Sequence, residues 1–226
     1  AYAPRVRGRM RAMQGGISGG TIASGMATQM AAAKDPSIGK MMANPFALTP
    51  GFEGPAQPDG NSTYEDKVTG AWVGPFMMST INTKAVHRAN FLLGHPWGKD
   101  FQYDEMTMLP GPPSGGAPAP GFAFGGANMP KPGEGPSQEE RERGFYDVLM
   151  IAEYPDGRTL RCAVKGDKDP GYGSTSRMLG ESAMCLLRDV PREKTPGGCW
   201  TAAAAMGEAL IKRLEAHAGV NFIVEA

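Results

Sequence analysis

Between Leu109 and Pro136 the chain reads LPGPPSGGAPAPGFAFGGANMPKPGEGP, eight prolines and eight glycines in 28 residues, and no other stretch constrains the fold as strongly. Proline fixes φ and removes a backbone donor, and glycine adds chain entropy, so neither a helix nor a strand ladder survives such a run. It reads as a Pro/Gly-rich mobile loop over 109–136. Phe122 and Phe124 are its large aromatic residues, either docked on a surface or simply left exposed. The 226 residues suit one large domain carrying that insertion better than two domains.

On either side of the loop the patterns are more regular. GGISGGTIASGMATQMAAA passes from a glycine turn into a helix with Ile22, Met26 and Met30 at four-residue spacing, capped by Ser18 or Thr21. From Asp35 to Gly70 five prolines predict loop with at most a short extended piece. Residues 71–93 read as a short strand or turn, a break at Pro75, and a helix. Phe101–Met106 alternates like a strand. FYDVLMIAEY and RTLRCAVK flank Pro155-Asp156-Gly157 and predict a β-hairpin, its first arm apolar on both faces. A helix starting at Thr175 or Ser176 and ending near Pro191 follows, then one capped by Thr201 and stopped by Gly219, then a last strand, NFIV.

Lys+Arg 23 against Asp+Glu 23 leaves no net charge, which argues against nucleic acid as a partner. Arg5, Arg7, Arg9 and Arg11 form a local basic cluster, read as a solvated terminus. Cys162, Cys185 and Cys199 lack metal-site or disulfide spacing, and a reducing compartment fits them. No apolar run is long enough to span a bilayer, so an intracellular protein is expected, cytoplasmic or peripherally membrane-associated. The first residue is Ala1 rather than Met, which suggests a fragment or processed product.

Few residues point to chemistry on spacing alone. GGISGGT suggests an anion site ahead of a helix, but it lacks the Lys of a P-loop, and no apolar strand leads into it as a dinucleotide turn requires. Tight backbone approach at a helix start explains it better. His87, His95 and His217 have no metal-ligand spacing, so no metal is expected. Asp104 and Glu105 are adjacent on a strand and face opposite ways. Arg88 can hold a carboxylate or phosphate, or form an ion pair. Tyr172, between two glycines at a helix start, can donate to a substrate oxygen or cover the core.

Five stretches taken in order carry a resemblance: GGISGGTIAS at 15–24, GPFMMSTINTKAVHRAN at 74–90, KPGEGPSQEERERGF at 131–145, GDKDPGYGSTSRMLGESAMCLL at 166–187 and TPGGCWTAAAAMGEALIKRLEAHAGVNF at 195–222. Their order and spacing resemble the C-terminal half of the saccharopine-dehydrogenase-like oxidoreductases, a family that includes trans-acting enoyl reductases. His87-Arg88 departs from the family's usual pair of arginines, and Trp200-Thr201-Ala202 from its Thr-Pro-Ala run.

The resemblance implies an α+β fold with a mixed, largely antiparallel sheet, residues 1–226 forming the substrate and interface domain of a two-domain Rossmann-type oxidoreductase. The N-terminal dinucleotide-binding domain, with its NADP or NAD, is absent from the chain. No residue here is assigned to the cofactor or to catalysis, and the chain alone is expected to be inactive. Ser18, Gly19, Thr21, Phe76, Arg88 and Tyr172 are the substrate-binding candidates. The chemistry implied is reduction of a carbonyl or enoyl group in a lipid-like substrate, with links to lipid and glycolipid metabolism. The partners implied are the missing Rossmann domain, docked on an exposed apolar patch, a small-molecule or lipid substrate, and a second copy in a homo-oligomer. Two rival readings stand beside this. One is a non-catalytic scaffold or oligomerisation module. The other is a membrane or lipid-droplet contact through the basic N-terminus and the Phe122/Phe124 loop.

Overall fold

The computed structural model describes residues 2–112 and 129–225; Phe122, Phe124 and the centre of the Pro/Gly stretch lie outside the described residues. The fold is α+β. Seven strands form one mixed sheet in the order β2-β3-β4-β1-β5-β6-β7, in which only the β1–β4 pair is parallel. The strands are β1 (Arg5–Gln14), β2 (Tyr64–Asp66), β3 (Ala71–Pro75), β4 (Gln102–Leu109), β5 (Phe145–Glu153), β6 (Thr159–Gly166) and β7 (Val220–Glu225). The helices are α1 (Gly19–Lys34), α2 (Pro36–Ala43), α3 (Ser79–Leu92), α4 (Gln138–Arg143), α5 (Gly173–Arg188) and α6 (Ala202–His217).

The four N-terminal arginines are not a solvated terminus. Arg5, Arg7 and Arg9 alternate along the central strand and share one face, and Arg11, at a bulge between Met10 and Ala12, reaches Asp147 of β5. The Arg9 side chain is fully buried, its guanidinium donating to Asp66 Oδ2 at 2.6 Å and Asp104 Oδ2 at 2.9 Å. Arg5 pairs with Asp104 and Arg7 with Glu153, while Arg11 holds Asp147 and Glu225, each at 2.7 Å. A buried cation demands such partners because its desolvation would otherwise exceed any gain. The segment is the centre of the sheet rather than a free terminus, with β1 paired on both edges.

The hairpin forms as its local chemistry dictates: Gly157 takes φ 84° in the turn, and β5 pairs with β6 from Tyr146↔Gly166 to Glu153↔Thr159. Leu149 and Ile151, on one face of β5, are buried with Val73, Met106 and Ala163; Tyr146 is buried on the other. Each fully buried aliphatic side chain contributes about 2 kcal/mol. A second apolar cluster joins Cys185 of α5 to Met206, Leu210 and Leu214 of α6 and Val220 of β7. Gly219, at φ 68°, turns the chain from α6 into that strand.

Besides β1, three elements differ from the sequence reading. α2 stands where loop was expected: Asp35 Oδ1 accepts the Ser37 N–H at 2.9 Å and Pro36 occupies the first turn, a start that tolerates proline. α4, unassigned from sequence, is fixed by a capping box in which Ser137 Oγ accepts from Glu140 N–H at 3.2 Å while Glu140 Oε2 accepts from Ser137 N–H at 2.7 Å. α5 begins at Gly173 rather than after Thr175, because the buried carboxylate of Asp169 accepts the N–H groups of Gly171, Tyr172 and Gly173. No helix among the described residues is long and apolar enough to cross a membrane.

Candidate functional site

The GGISGGT turn joins the end of β1 to α1, so a strand does lead into it, though an arginine-bearing one. Ser18 is the N-cap of α1, its Oγ accepting from Thr21 N–H at 3.2 Å. The Ser18 N–H itself donates to the phenolic oxygen of Tyr172 at 2.8 Å, and that oxygen lies 3.1 Å from Thr21 Oγ1. Three hydroxyls therefore converge at the start of α1. Partial burial would raise the Tyr172 pKa, but the hydrogen bonds from Ser18 and Thr21 outweigh it and hold the phenol below its ordinary value.

The other glycines of the motifs bring segments together. Gly19 N–H donates to Glu134 O at 3.0 Å, and a Cβ on Gly19 would lie 1.9 Å from the Lys131 carbonyl oxygen, so the 131–135 segment covers the turn. Gly15, Gly144, Gly171 and Gly173 all crowd Asp169, where an added Cβ would meet it at between 2.3 and 3.1 Å. The first, third and fourth of the five motif stretches thus meet around one buried carboxylate. This packing also tests the turn as a dinucleotide site. With the Gly19 N–H spent on Glu134 and the Ser18 N–H on Tyr172, a pyrophosphate does not fit there.

Two clefts open on either side of Tyr172. One, of about 380 Å³, is mostly apolar and lined by Met10, Met13, Ile17, Phe76, Met77 and Met78, with Thr21 and Tyr172 at its polar end. Methionine is flexible and polarizable and adapts to an irregular apolar guest. The other, of about 780 Å³, is lined by Ser18, Gly20, Glu134, Arg141, Tyr172 and Ser176. An apolar compartment thus adjoins a polar one, with the phenol between them.

The structure therefore brings Ser18, Thr21, Phe76 and Tyr172 together, with Gly19 turned toward the covering segment. Arg88 lines neither cleft. Its guanidinium donates to the carbonyls of Leu48 at 2.8 Å and Cys199 at 3.1 Å, tying two loops to α3. Sequence reasoning missed the methionines, Arg141, Ser176 and Asp169. Asp169 had a signal in Asp-Pro-Gly before a helix; Met77 and Met78 lie between elements and carry no periodicity.

A further cleft of about 610 Å³ lies over Tyr103, Asp104 and Glu105 beside the first turns of α3. Glu105 accepts from the Tyr103 hydroxyl and, at 2.8 Å, from Asn82 Nδ2. Burial raises the pKa of this carboxyl, and that of Tyr103 well above its usual value. Asp104 turns instead to Arg5 and Arg9, as strand alternation requires. His87 is buried against Phe46, with ring centroids 4.6 Å apart, and desolvation lowers its pKa to about 4.

An α+β domain built around this divided cleft has recognisable relatives. The chain is 35% identical over 241 residues to a Mycobacterium tuberculosis protein carrying the trans-acting enoyl reductase name, an alignment covering 94% of this chain and 57% of that protein. It is 32% identical to a trans-acting enoyl reductase of Mycobacterium ulcerans (87% of this chain, 54% of the relative) and 31% identical to one of Mycobacterium bovis (88% and 54%). The chain spans just over half the length of these relatives. No family model and no solved structure matches it.

Proposed function

We propose that this chain is the substrate-binding part of an NAD(P)-dependent reductase acting on a carbonyl or enoyl group of a lipid-like substrate. The observation that carries this reading is the methionine-lined cleft ending on the Tyr172, Ser18 and Thr21 hydroxyls. An acyl chain lies in the apolar compartment, the reacting carbonyl reaches the hydroxyls, and the polar head occupies the larger cleft. Tyr172 donates a hydrogen bond to the substrate oxygen, while Ser18 N–H holds the phenol in place. The names of the relatives support a reductase.

The dinucleotide belongs, in this reading, to a Rossmann domain outside these 226 residues. Met26, Met30, Met41, Met42 and Leu48 are exposed on and after the adjoining helices α1 and α2, an apolar surface of the kind such a domain would cover. The longest natural polypeptide containing this chain should consume NADPH with an unsaturated acyl thioester. Tyr172→Phe should lower kcat at least tenfold with little change in KM. A polypeptide that binds NADPH but reduces no carbonyl or enoyl substrate would exclude the reductase and favour a scaffold.

A further inference from the structure

We propose that the cleft between α4 and the start of α5 is a phosphate-binding subsite. The cleft measures about 240 Å³ and brings Arg141, Lys168 and Arg177 to its lining against a single carboxylate, Glu142. Those charges are poorly compensated. Glu142 accepts a hydrogen bond from Gln138 Nε2 at 2.7 Å, and Arg177 reaches Asp167 only at 3.7 Å. Among the described residues Arg141 and Lys168 have no carboxylate partner; they donate instead to the carbonyls of Pro136 at 3.0 Å and Glu142 at 3.4 Å. Carbonyl contacts orient the cations without neutralising them. Of the other nearby carboxylates, Asp169 is spent on the N–H groups that start α5, and Glu134 accepts the Lys131 N–H at 2.7 Å.

Gathering three cations costs free energy that an anion would return. The backbone is shaped to gather them. A Cβ on Gly173 would meet the Arg141 carbonyl oxygen at 2.7 Å and Lys168 Cβ at 3.1 Å, so only glycine at the first position of α5 admits α4 and Lys168 so close. Two guanidinium forks and one ammonium match the several oxygens of a phosphate better than the two of a carboxylate. Arg141 also lines the polar cleft at Tyr172, so the subsite opens into the candidate substrate site. A phosphate here would belong either to a thioester carrier or to a nucleotide. The subsite does not depend on the reductase reading.

Calorimetric titration of the chain with pyrophosphate at constant ionic strength tests the proposal, followed by coenzyme A and NADP+ as the two kinds of phosphate carrier. Pyrophosphate should bind, and Lys168→Gln and Arg177→Gln should each weaken it about tenfold, one lost charge-assisted contact apiece. Arg143→Gln should change nothing, because Arg143 is exposed and paired with Glu139 at 2.8 Å. Circular dichroism checks folding, and if Lys168→Gln unfolds the chain, the exposed Arg177 decides alone. Tighter binding of coenzyme A than of pyrophosphate would support a thioester carrier, and tighter NADP+ a nucleotide. Absence of pyrophosphate binding, or equal weakening by Arg143→Gln, would overturn the proposal.

Discussion

The phenolic oxygen of Tyr172 accepts the backbone N–H of Ser18 at 2.8 Å across 154 positions of sequence, closing the N-terminus of α1 with a side chain from the start of α5. One hydrogen bond thus ties the sheet-to-helix turn to the loop that also carries Asp169. Tyr172→Phe keeps the ring and removes the oxygen, leaving the Ser18 donor without its acceptor. The chain should lose about 1 kcal/mol of stability, readable as a lower urea midpoint with unchanged slope.

Gly144 is the tightest approach to Asp169, where a Cβ would sit 2.3 Å from the Asp169 Cα. Its φ of −63° suits any residue, so the obstacle is space rather than backbone strain. Gly144→Ala should destabilise by about 2–3 kcal/mol through overpacking against main chain. Gly39→Ala, in α2 with nothing within 4 Å, should be neutral or slightly stabilising. Thermal melts of the two variants separate crowding from a general glycine effect.

How much of this was legible beforehand depended on how local the cause was. The β5–β6 hairpin follows from Pro155-Asp156-Gly157 between two apolar runs, and α6 from the Thr201 cap and the Gly219 stop. β1 was misread because the carboxylates that make a buried arginine tolerable lie far along the chain: Asp66 is 57 positions away, Asp104 is 95 and Glu225 is 214 from the arginines they bind. Ser18, Thr21, Phe76 and Tyr172 are candidates through motif resemblance and line the clefts, whereas Met10, Met77 and Arg141 reach them only through tertiary packing.

Arg9 is the centre of that ion-pair network, and removing it takes the fully buried guanidinium from two buried carboxylates, leaving Asp104 with Arg5 and Asp66 with the Val68 N–H and Arg7 at 3.9 Å. Arg9→Ala should cost about 3–5 kcal/mol and leave the chain poorly folded at room temperature. Arg9→Met with Asp66 and Asp104 both changed to Asn should recover most of the loss. Burial works against the Asp66 carboxylate, but hydrogen bonds from Arg9 and the Val68 N–H prevail and lower its pKa. The stability this contributes is present above the unfolded carboxylate pKa and lost as pH falls through the folded one. Denaturation midpoints taken down the acid range should show it.

His87 adds a loss of stability at milder acidity. Its folded pKa, about 4, lies below the unfolded value of 6.5, so between those values the unfolded chain binds a proton that the folded chain refuses. Stability should therefore be complete well above pH 6.5 and decline by about 3 kcal/mol as pH falls toward 4. His87→Gln, which retains a group able to reach Gln57, should flatten the decline. Urea midpoints across that window measure it.

The central claim is that the methionine-lined cleft beside Tyr172 receives an acyl chain. Displacement of a fluorescent fatty-acyl probe from the 226-residue chain tests it most directly. Long-chain acyl compounds should compete and short ones should not. Met77→Asp should weaken the probe at least tenfold, while Leu187→Asp, changing a residue exposed on α5 and outside this cleft, should leave binding intact. Absent binding, or binding lost in Leu187→Asp and kept in Met77→Asp, would contradict the claim.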